Sequence, residues 1–180
     1  MMKIFKLYNL NRNNKTILYE GTPLMKIIGC EDWGDYNKIE KYIYTWDSYS
    51  KDKPVCDSPF LIGSIPIFRN KIIQQIKIQP GQIDLIPITI EKELFEIIKA
   101  KTLVNNVLNK HKSKISYFSD GRIMDINKYV FKPQDNWPEI FKIAEFPIFT
   151  FVNENIAEQL NRQKPSGLGM EECAIKKGFF

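Results

Sequence analysis

The chain has little arginine, a single histidine, few cysteines and no long apolar run, and each shortage removes a class of function. Of its 26 basic residues only four are Arg, at Arg12, Arg69, Arg122 and Arg162. Arginine is the preferred residue for bidentate contacts to phosphates and base edges. The formal net charge of +5 is spread evenly, with 12 basic and 9 acidic residues in positions 1–90 and 14 and 12 in positions 91–180. A basic balance is the first signature of a nucleic-acid-binding module, but without an arginine cluster it points to no nucleic-acid partner. Cys30, Cys56 and Cys173 are far apart and odd in number. No two stand at metal-ligand spacing, and His111 alone cannot complete a common zinc set, so no metal is expected. The reading is of three reduced, buried thiols in a reducing cytosol. Lysines interrupt the apolar residues of the Met1–Tyr8 stretch, which therefore lacks a signal-peptide core. No apolar run approaches the ~20 residues of a membrane span. A cytoplasmic protein without a membrane partner is the expectation.

Catalytic constellations are equally sparse. Lys110-His111-Lys112, with Lys114, is the only basic cluster, and it reads as a solvated loop. His111 has no neighbouring carboxylate to orient it as a general base. Ser166-Gly167-Leu168-Gly169 looks superficially like a phosphate loop but lacks the Walker lysine and the strand–helix context, so a turn is expected there. Glu171-Glu172 and Asp32 with Asp35 are carboxylate pairs that no other polar residue strengthens. No catalytic residue, cofactor-binding residue or metal ligand is assigned, and the chain reads as a non-enzyme.

What the sequence does contain is strand pattern. In residues 116–131, Asp120-Gly121 stands between two runs of aromatic and β-branched residues, a strong hairpin signal that requires positive φ in the turn. Strands are also expected at residues 4–7, 16–19, 42–46, 82–90, 94–100, 140–143, 148–151 and 168–175. Pro87 removes a ladder donor and so marks an edge or a bulge. Phe68, Ile72, Ile73 and Ile76 recur at helical spacing and predict an amphipathic helix ended by Pro80-Gly81. Asn153 can cap a second helix whose buried face carries Ile156 and Leu160, with Pro165-Ser166-Gly167 ending it. The order strands, helix, strands, helix, strand predicts an α+β fold, a mostly antiparallel sheet with about two packed helices. Residues 48–59, with Pro54 and Pro59, read as a linker. They divide an N-terminal aromatic-rich layer at 1–57, read as part of the same domain, from a core at 58–180.

That N-terminal layer holds Trp33, Tyr36, Tyr42, Tyr44, Trp46 and Tyr49. Trp and Tyr bury a large area with little rotamer entropy lost, which enriches them at interface hot spots. Alternation along a strand would instead put Tyr42, Tyr44 and Trp46 on one face, where half of the six could serve a core. The six are assigned as candidate partner-binding residues.

A set of short motifs then recurs in order. Pro59-Phe60 and Ile65-Pro66-Ile67-Phe68 precede the first helix. Leu85-Ile86-Pro87-Ile88 lies in the following strand, and Asn106-Val107-Leu108-Asn109 in the next connection. Asp120-Gly121, Tyr129-Val130-Phe131, Ile140-Phe141-Lys142-Ile143, Phe151-Val152-Asn153-Glu154 and the strand from Leu168 to Cys173 complete the series. Over residues 58–174 this resembles immunity protein family eleven of bacterial polymorphic toxin systems. The corresponding family elements are "P-V-F-S-E-K-A", "E-L-L-P-L", "D-A-L-D", "D-G", "Y-V-F", "I-F-K-I", "F-V-S-D-E-F" and "L-T-G-F-E-F". Arg69 departs from the pattern, standing where the family usually has a capping Ser. Asn106 and Asn109 replace acidic residues, so any binding role shared by those carboxylates is lost here. The first 57 or so residues show no family pattern.

The resemblance implies an immunity protein, which binds and neutralises a cognate bacterial toxin domain without catalysis. It does not name the toxin's activity. Two other classes remain: a small enzyme acting on a small molecule or nucleic acid, and a basic nucleic-acid-binding module. The first is disfavoured by the missing set of paired polar residues, the second by dispersed charge.

Overall fold

A computed structural model describes residues 2–10, 14–20, 43–61 and 64–176. Fourteen strands are built among these residues: β1 (Ile4–Asn9), β2 (Ile17–Glu20), β3 (Ile43–Trp46), β4 (Phe60–Leu61), β5 (Ile65–Arg69), β6 (Ile83–Ile90) and β7 (Glu93–Ala100) in the first part. They are followed by β8 (Thr102–Val104), β9 (Lys114–Tyr117), β10 (Ile123–Lys128), β11 (Val130–Phe131), β12 (Ile140–Ile143), β13 (Phe151–Asn153) and β14 (Leu168–Ile175). Two helices accompany them, α1 (Asn70–Ile73) and α2 (Glu154–Gln163). One six-stranded sheet runs β11-β14-β1-β13-β12-β8, a second runs β2-β3-β6-β7-β5-β4, and β9 with β10 forms a separate ribbon.

The fold class is α+β, as the element order predicts, but the sheets are mixed rather than mostly antiparallel. β3 runs parallel to β6, β8 to β12 and β11 to β14. In each case the two strands are joined through a long connection that carries other elements. β9–β11 lie between β8 and β12, and α2 lies between β11 and β14, so the chain returns in the same direction. Hydrophobic period reports that a strand exists and which way its side chains face; it carries no record of the neighbour's direction.

Apolar residues at adjacent positions face opposite sides of the same strand, and this builds three clusters. The central one lies between the sheets and under both helices. It takes Leu7, Ile140, Val152 and Leu168 from the first sheet, Phe60, Phe68, Ile98 and Ala100 from the second, and Ile72, Ile73, Ile76, Ile156 and Leu160 from α1, α2 and the turn after α1. The other face of the first sheet holds an aromatic cluster that includes Phe131, Trp137, Phe141 and Phe151. The other face of the second sheet holds an aliphatic one, built on Ile65, Ile67, Ile86, Ile88, Ile90 and Ile97 with Phe95. Strand β12 is buried at all four positions, as expected where both faces of a strand are covered.

Helix α2 follows its sequence signals closely. The Asn153 side chain accepts from the Ile156 N–H at 3.2 Å, a cap contributing about 1 kcal/mol. Lys164 ends the helix in the left-handed region, with its N–H bonded to the Leu160 carbonyl. The first helix differs from expectation. Phe68 lies in β5, paired with Glu96, and α1 spans only four residues. Phe68 packs in the same cluster as Ile72, Ile73 and Ile76, which is why helical spacing extended too far back. The strand expected at 148–151 begins only at Phe151. Pro87 sits where β6 has β7 on one side and, among the described residues, no partner on the other, where β3 meets β6 at Ile90.

The N-terminal 57 residues contribute to both sheets: β1 lies between β13 and β14, and β2 and β3 extend the second sheet. The predicted linker is pinned at both ends. Lys15 N–H donates to the Pro54 carbonyl, Ser58 N–H to the Ser166 carbonyl, and Arg69 N–H to the Asp57 carbonyl. Gly167 makes this close approach possible. Its φ is +89°, and a Cβ there would fall 2.8 Å from both Cys56 Sγ and the Ser58 carbonyl. The Ser166–Gly169 run is thus a packed turn entering β14.

Candidate partner-binding surface

Of the six aromatic residues assigned as candidate contacts, Trp33, Tyr36 and Tyr42 lie outside the described residues. The other three separate sharply. Tyr44 and Trp46 alternate inward along β3 and are 3% and 8% exposed. Trp46 meets Phe95 edge-on, with ring centroids 6.0 Å apart. These two side chains are core, as strand alternation allows, and offer no surface to a partner. Tyr49 is 97% exposed.

Tyr49 is presented by a 3-10 turn at Ser48–Ser50 whose backbone is fixed by Asp47. One Asp47 carboxylate oxygen accepts from the Tyr49 N–H at 2.9 Å, the other from the Thr16 hydroxyl at 3.1 Å. The Asp47 carbonyl accepts from the Ser50 hydroxyl at 2.8 Å. The ring therefore projects from an ordered backbone, and little chain entropy is lost when a partner covers it.

A second lock lies at Asp57, which sequence reading missed. Its carboxylate accepts from the Ser166 hydroxyl at 2.9 Å and pairs with Arg69 Nε at 3.2 Å and Lys71 Nζ at 3.5 Å. Burial opposes ionisation of Asp57, but the Ser166 bonds and the Lys71 and Arg69 charges outweigh it, and its pKa falls below the ordinary value. Arg69 also pairs with Glu93 and lies 5.1 Å over the Phe95 ring. It occupies the N-cap position of α1 without a side-chain cap bond, so its guanidinium ties three segments together where a Ser would have capped one. The two asparagines of the 105–113 connection also have structural work. Asn106 takes φ +56° and accepts from Lys132 Nζ at 2.6 Å, and the buried Asn109 side chain accepts from the Lys112 N–H at 3.3 Å.

A cleft of about 540 Å³ lies beside α2 and is lined by Gln75, Gln79, Glu139, Asn155, Gln159 and Arg162, among others. Its polar groups are largely committed to one another. The nearly buried Glu139 accepts from the Gln79 N–H at 2.6 Å and the Asn155 amide at 3.3 Å. The Gln159 amide accepts from the Lys77 N–H and donates to the Lys77 carbonyl. The cleft holds no nucleophile beside a base. Among the described residues no three His, Cys, Asp or Glu side chains gather as a metal set. His111 is exposed in its turn. Burial pushes the Cys56 thiol up to about 11 and the Cys173 thiol up to about 12, which keeps both protonated and poorly nucleophilic near neutrality. Cys30 lies outside the described residues. No helix among the described residues is long and apolar enough to cross a membrane.

No family model matches the chain, and no curated protein matches its sequence. The ordered motifs of residues 58–174 therefore carry the family resemblance by themselves.

Proposed function

We propose that this chain is a non-catalytic immunity protein of the bacterial cytoplasm, which binds a cognate toxin domain and blocks it by occupying its surface. The observation that carries the reading is the order of the family motifs across residues 58–174. Their positions in the fold support it. Val130-Phe131, Ile140–Ile143, Phe151–Asn153 and Leu168–Ile175 all lie in one sheet, joined through β1 between β13 and β14, with α2 packed on it. An inhibitor of this kind needs a stiff scaffold and a few exposed anchors. Tyr49 meets that description, and Trp33, Tyr36 and Tyr42 complete the proposed contact set from the N-terminal segment.

Co-expression with the toxin domain encoded beside this chain tests the reading. Growth rescue together with a co-purifying complex is the expected result. Neither rescue nor a complex would overturn it.

A further inference from the structure

The ribbon of β9 and β10 has a base buried in the protein and a tip that is not. Ile115, Ile123 and Ile126 pack on the aromatic cluster of the first sheet. Beyond them Tyr117, Phe118 and Met124 are each 49% exposed. The tip is held in one shape. Phe118 N–H donates to the Arg122 carbonyl at 2.9 Å, Gly121 N–H to the Phe118 carbonyl at 3.0 Å, and Gly121 takes φ +85°. The Asp120 carboxylate accepts from the Arg122 backbone N–H at 3.0 Å and from its Nε at 2.7 Å. That guanidinium lies 5.7 Å from the Phe118 ring centroid.

At the other end of the ribbon the charges are arranged against the stability of the free protein. Lys114 and Lys128 are exposed and face each other directly across the two strands, a like-charge juxtaposition that weakens a sheet pair. Among the described residues no ion pair involves Lys110, Lys114 or Lys128; the pair at the ribbon's tip joins Arg122 to Asp120. From Lys114 to Lys128 there are three basic and two acidic residues, and with Arg122 taken by Asp120 the positive charge left over sits on Lys114 and Lys128. A half-exposed apolar tip on a preformed turn, with Lys114 and Lys128 at the opposite end of the same ribbon, matches an apolar pocket with carboxylates lying to one side of it.

We propose that the β9–β10 ribbon is a docking element for an acidic protein surface, with Phe118 and Met124 entering an apolar pocket and Lys114 and Lys128, toward the ribbon's base, meeting carboxylates beside it. The assignment rests on the immunity reading, and the partner is then the acidic face of the toxin domain. A protein fits better than a nucleic acid. The one guanidinium at the tip is already bound to Asp120, which leaves the ribbon no free arginine for bidentate contact to a phosphate.

Lys114→Glu separates binding from folding, because it exchanges a repulsive cross-strand pair for an attractive one. We expect its melting temperature to rise by about 1–3 °C. Its affinity for the purified neighbouring toxin domain should fall about tenfold at low salt, with a smaller loss at high salt. The double variant Phe118→Ser/Met124→Ser should lose roughly thirtyfold in affinity. Lys92→Glu, on the exposed turn between β6 and β7, should bind as the unaltered protein does. A complex that both ribbon variants form unchanged overturns the docking assignment and leaves the immunity reading standing. No complex with the unaltered protein overturns both. A labelled single-stranded oligonucleotide bound at physiological salt, and lost in Lys114→Glu while toxin affinity is kept, would assign the ribbon to nucleic acid and overturn the proposal.

Discussion

In β3 the aromatic residues Tyr44 and Trp46 turn inward against Ile90 and Phe95, whereas at the end of β9 Tyr117 and Phe118 stand half-exposed beside Met124. Both stretches are dense in strand-forming aromatics, and density alone would rank β3 as the better contact surface. The difference lies in what each strand borders. β3 lies between β2 and β6 in a six-stranded sheet, so one alternating face is committed to a core. The ribbon has two strands and reaches past the edge of the cluster that seats it. Its inward positions are filled by isoleucines, leaving the aromatic residues for the tip. Aromatic content measures how much apolar area is available; the neighbours of a strand decide which way that area faces.

The largest expected effect tests the inward half of this comparison. Trp46→Ala should cost about 3–5 kcal/mol of folding stability, because it empties a packed site against Phe95. At roughly 2–4 °C per kcal/mol for a chain of this size, thermal melting should drop by more than about 6 °C. A melt within a degree or two of the unaltered protein would mean that β3 does not face a core. Next in size is Gly121→Val in the ribbon turn. A Cβ at Gly121 meets nothing within 4 Å, so the penalty is conformational alone, about 1–3 kcal/mol for a β-branched residue at positive φ. An unchanged melting temperature would show that the turn does not hold its left-handed residue.

The Asp-Gly turn also shows how far sequence can be read. The hairpin and the positive φ of Gly121 were legible, because a local backbone requirement leaves a local signature. Its form was not fully legible. Asp120 keeps negative φ, and the Phe118–Arg122 pair closes a three-residue loop with Gly121 in the left-handed position, rather than a two-residue turn with positive φ at both residues. Helix α2 was legible from Asn153, Ile156 and Leu160 for the same reason. The parallel pairings were not, since strand direction is set by connections dozens of residues long. Arg69 was noted only as a departure from a capping pattern. Its bonds to Asp57 and Glu93 join positions 12 and 24 residues away, beyond any periodic signal. Of the candidate site, Tyr49 is exposed as a contact should be, Tyr44 and Trp46 are not, and the ribbon tip was read for its turn without regard to its exposed side chains.

A smaller effect should appear in acid. The Asp57 carboxyl is held below its ordinary value in the folded chain, so at acid pH the unfolded chain binds the proton more readily. The stability it contributes is fully present above the ordinary aspartate value of about 3.9 and is lost as pH falls through the lowered folded value. Denaturation midpoints should therefore decline below about pH 4. Asp57→Asn, which can still accept from Ser166, should flatten that part of the decline. An identical pH profile in the variant would remove Asp57 from the lock between the 48–59 segment and β14.

The smallest expected change in stability belongs to Tyr49, and it tests the outward half of the comparison. With its side chain almost wholly in solvent, Tyr49→Ala should leave stability within about 0.5 kcal/mol, or a shift of no more than about 2 °C. The backbone of its turn is held by Asp47 rather than by the ring, so truncation should not loosen the presenting segment. If Tyr49 is a desolvated anchor for the toxin, the same variant should bind it about thirtyfold more weakly, roughly 2 kcal/mol. Paired with Trp46→Ala, this separates the two roles open to an aromatic side chain three residues apart in the chain. The core residue loses stability first and affinity only through unfolding. The anchor loses affinity while its melt stays put. Unchanged affinity for Tyr49→Ala, with weakened binding in the ribbon variants, would move the contact surface from the N-terminal segment to the ribbon. Loss at both places would place both anchors within one interface.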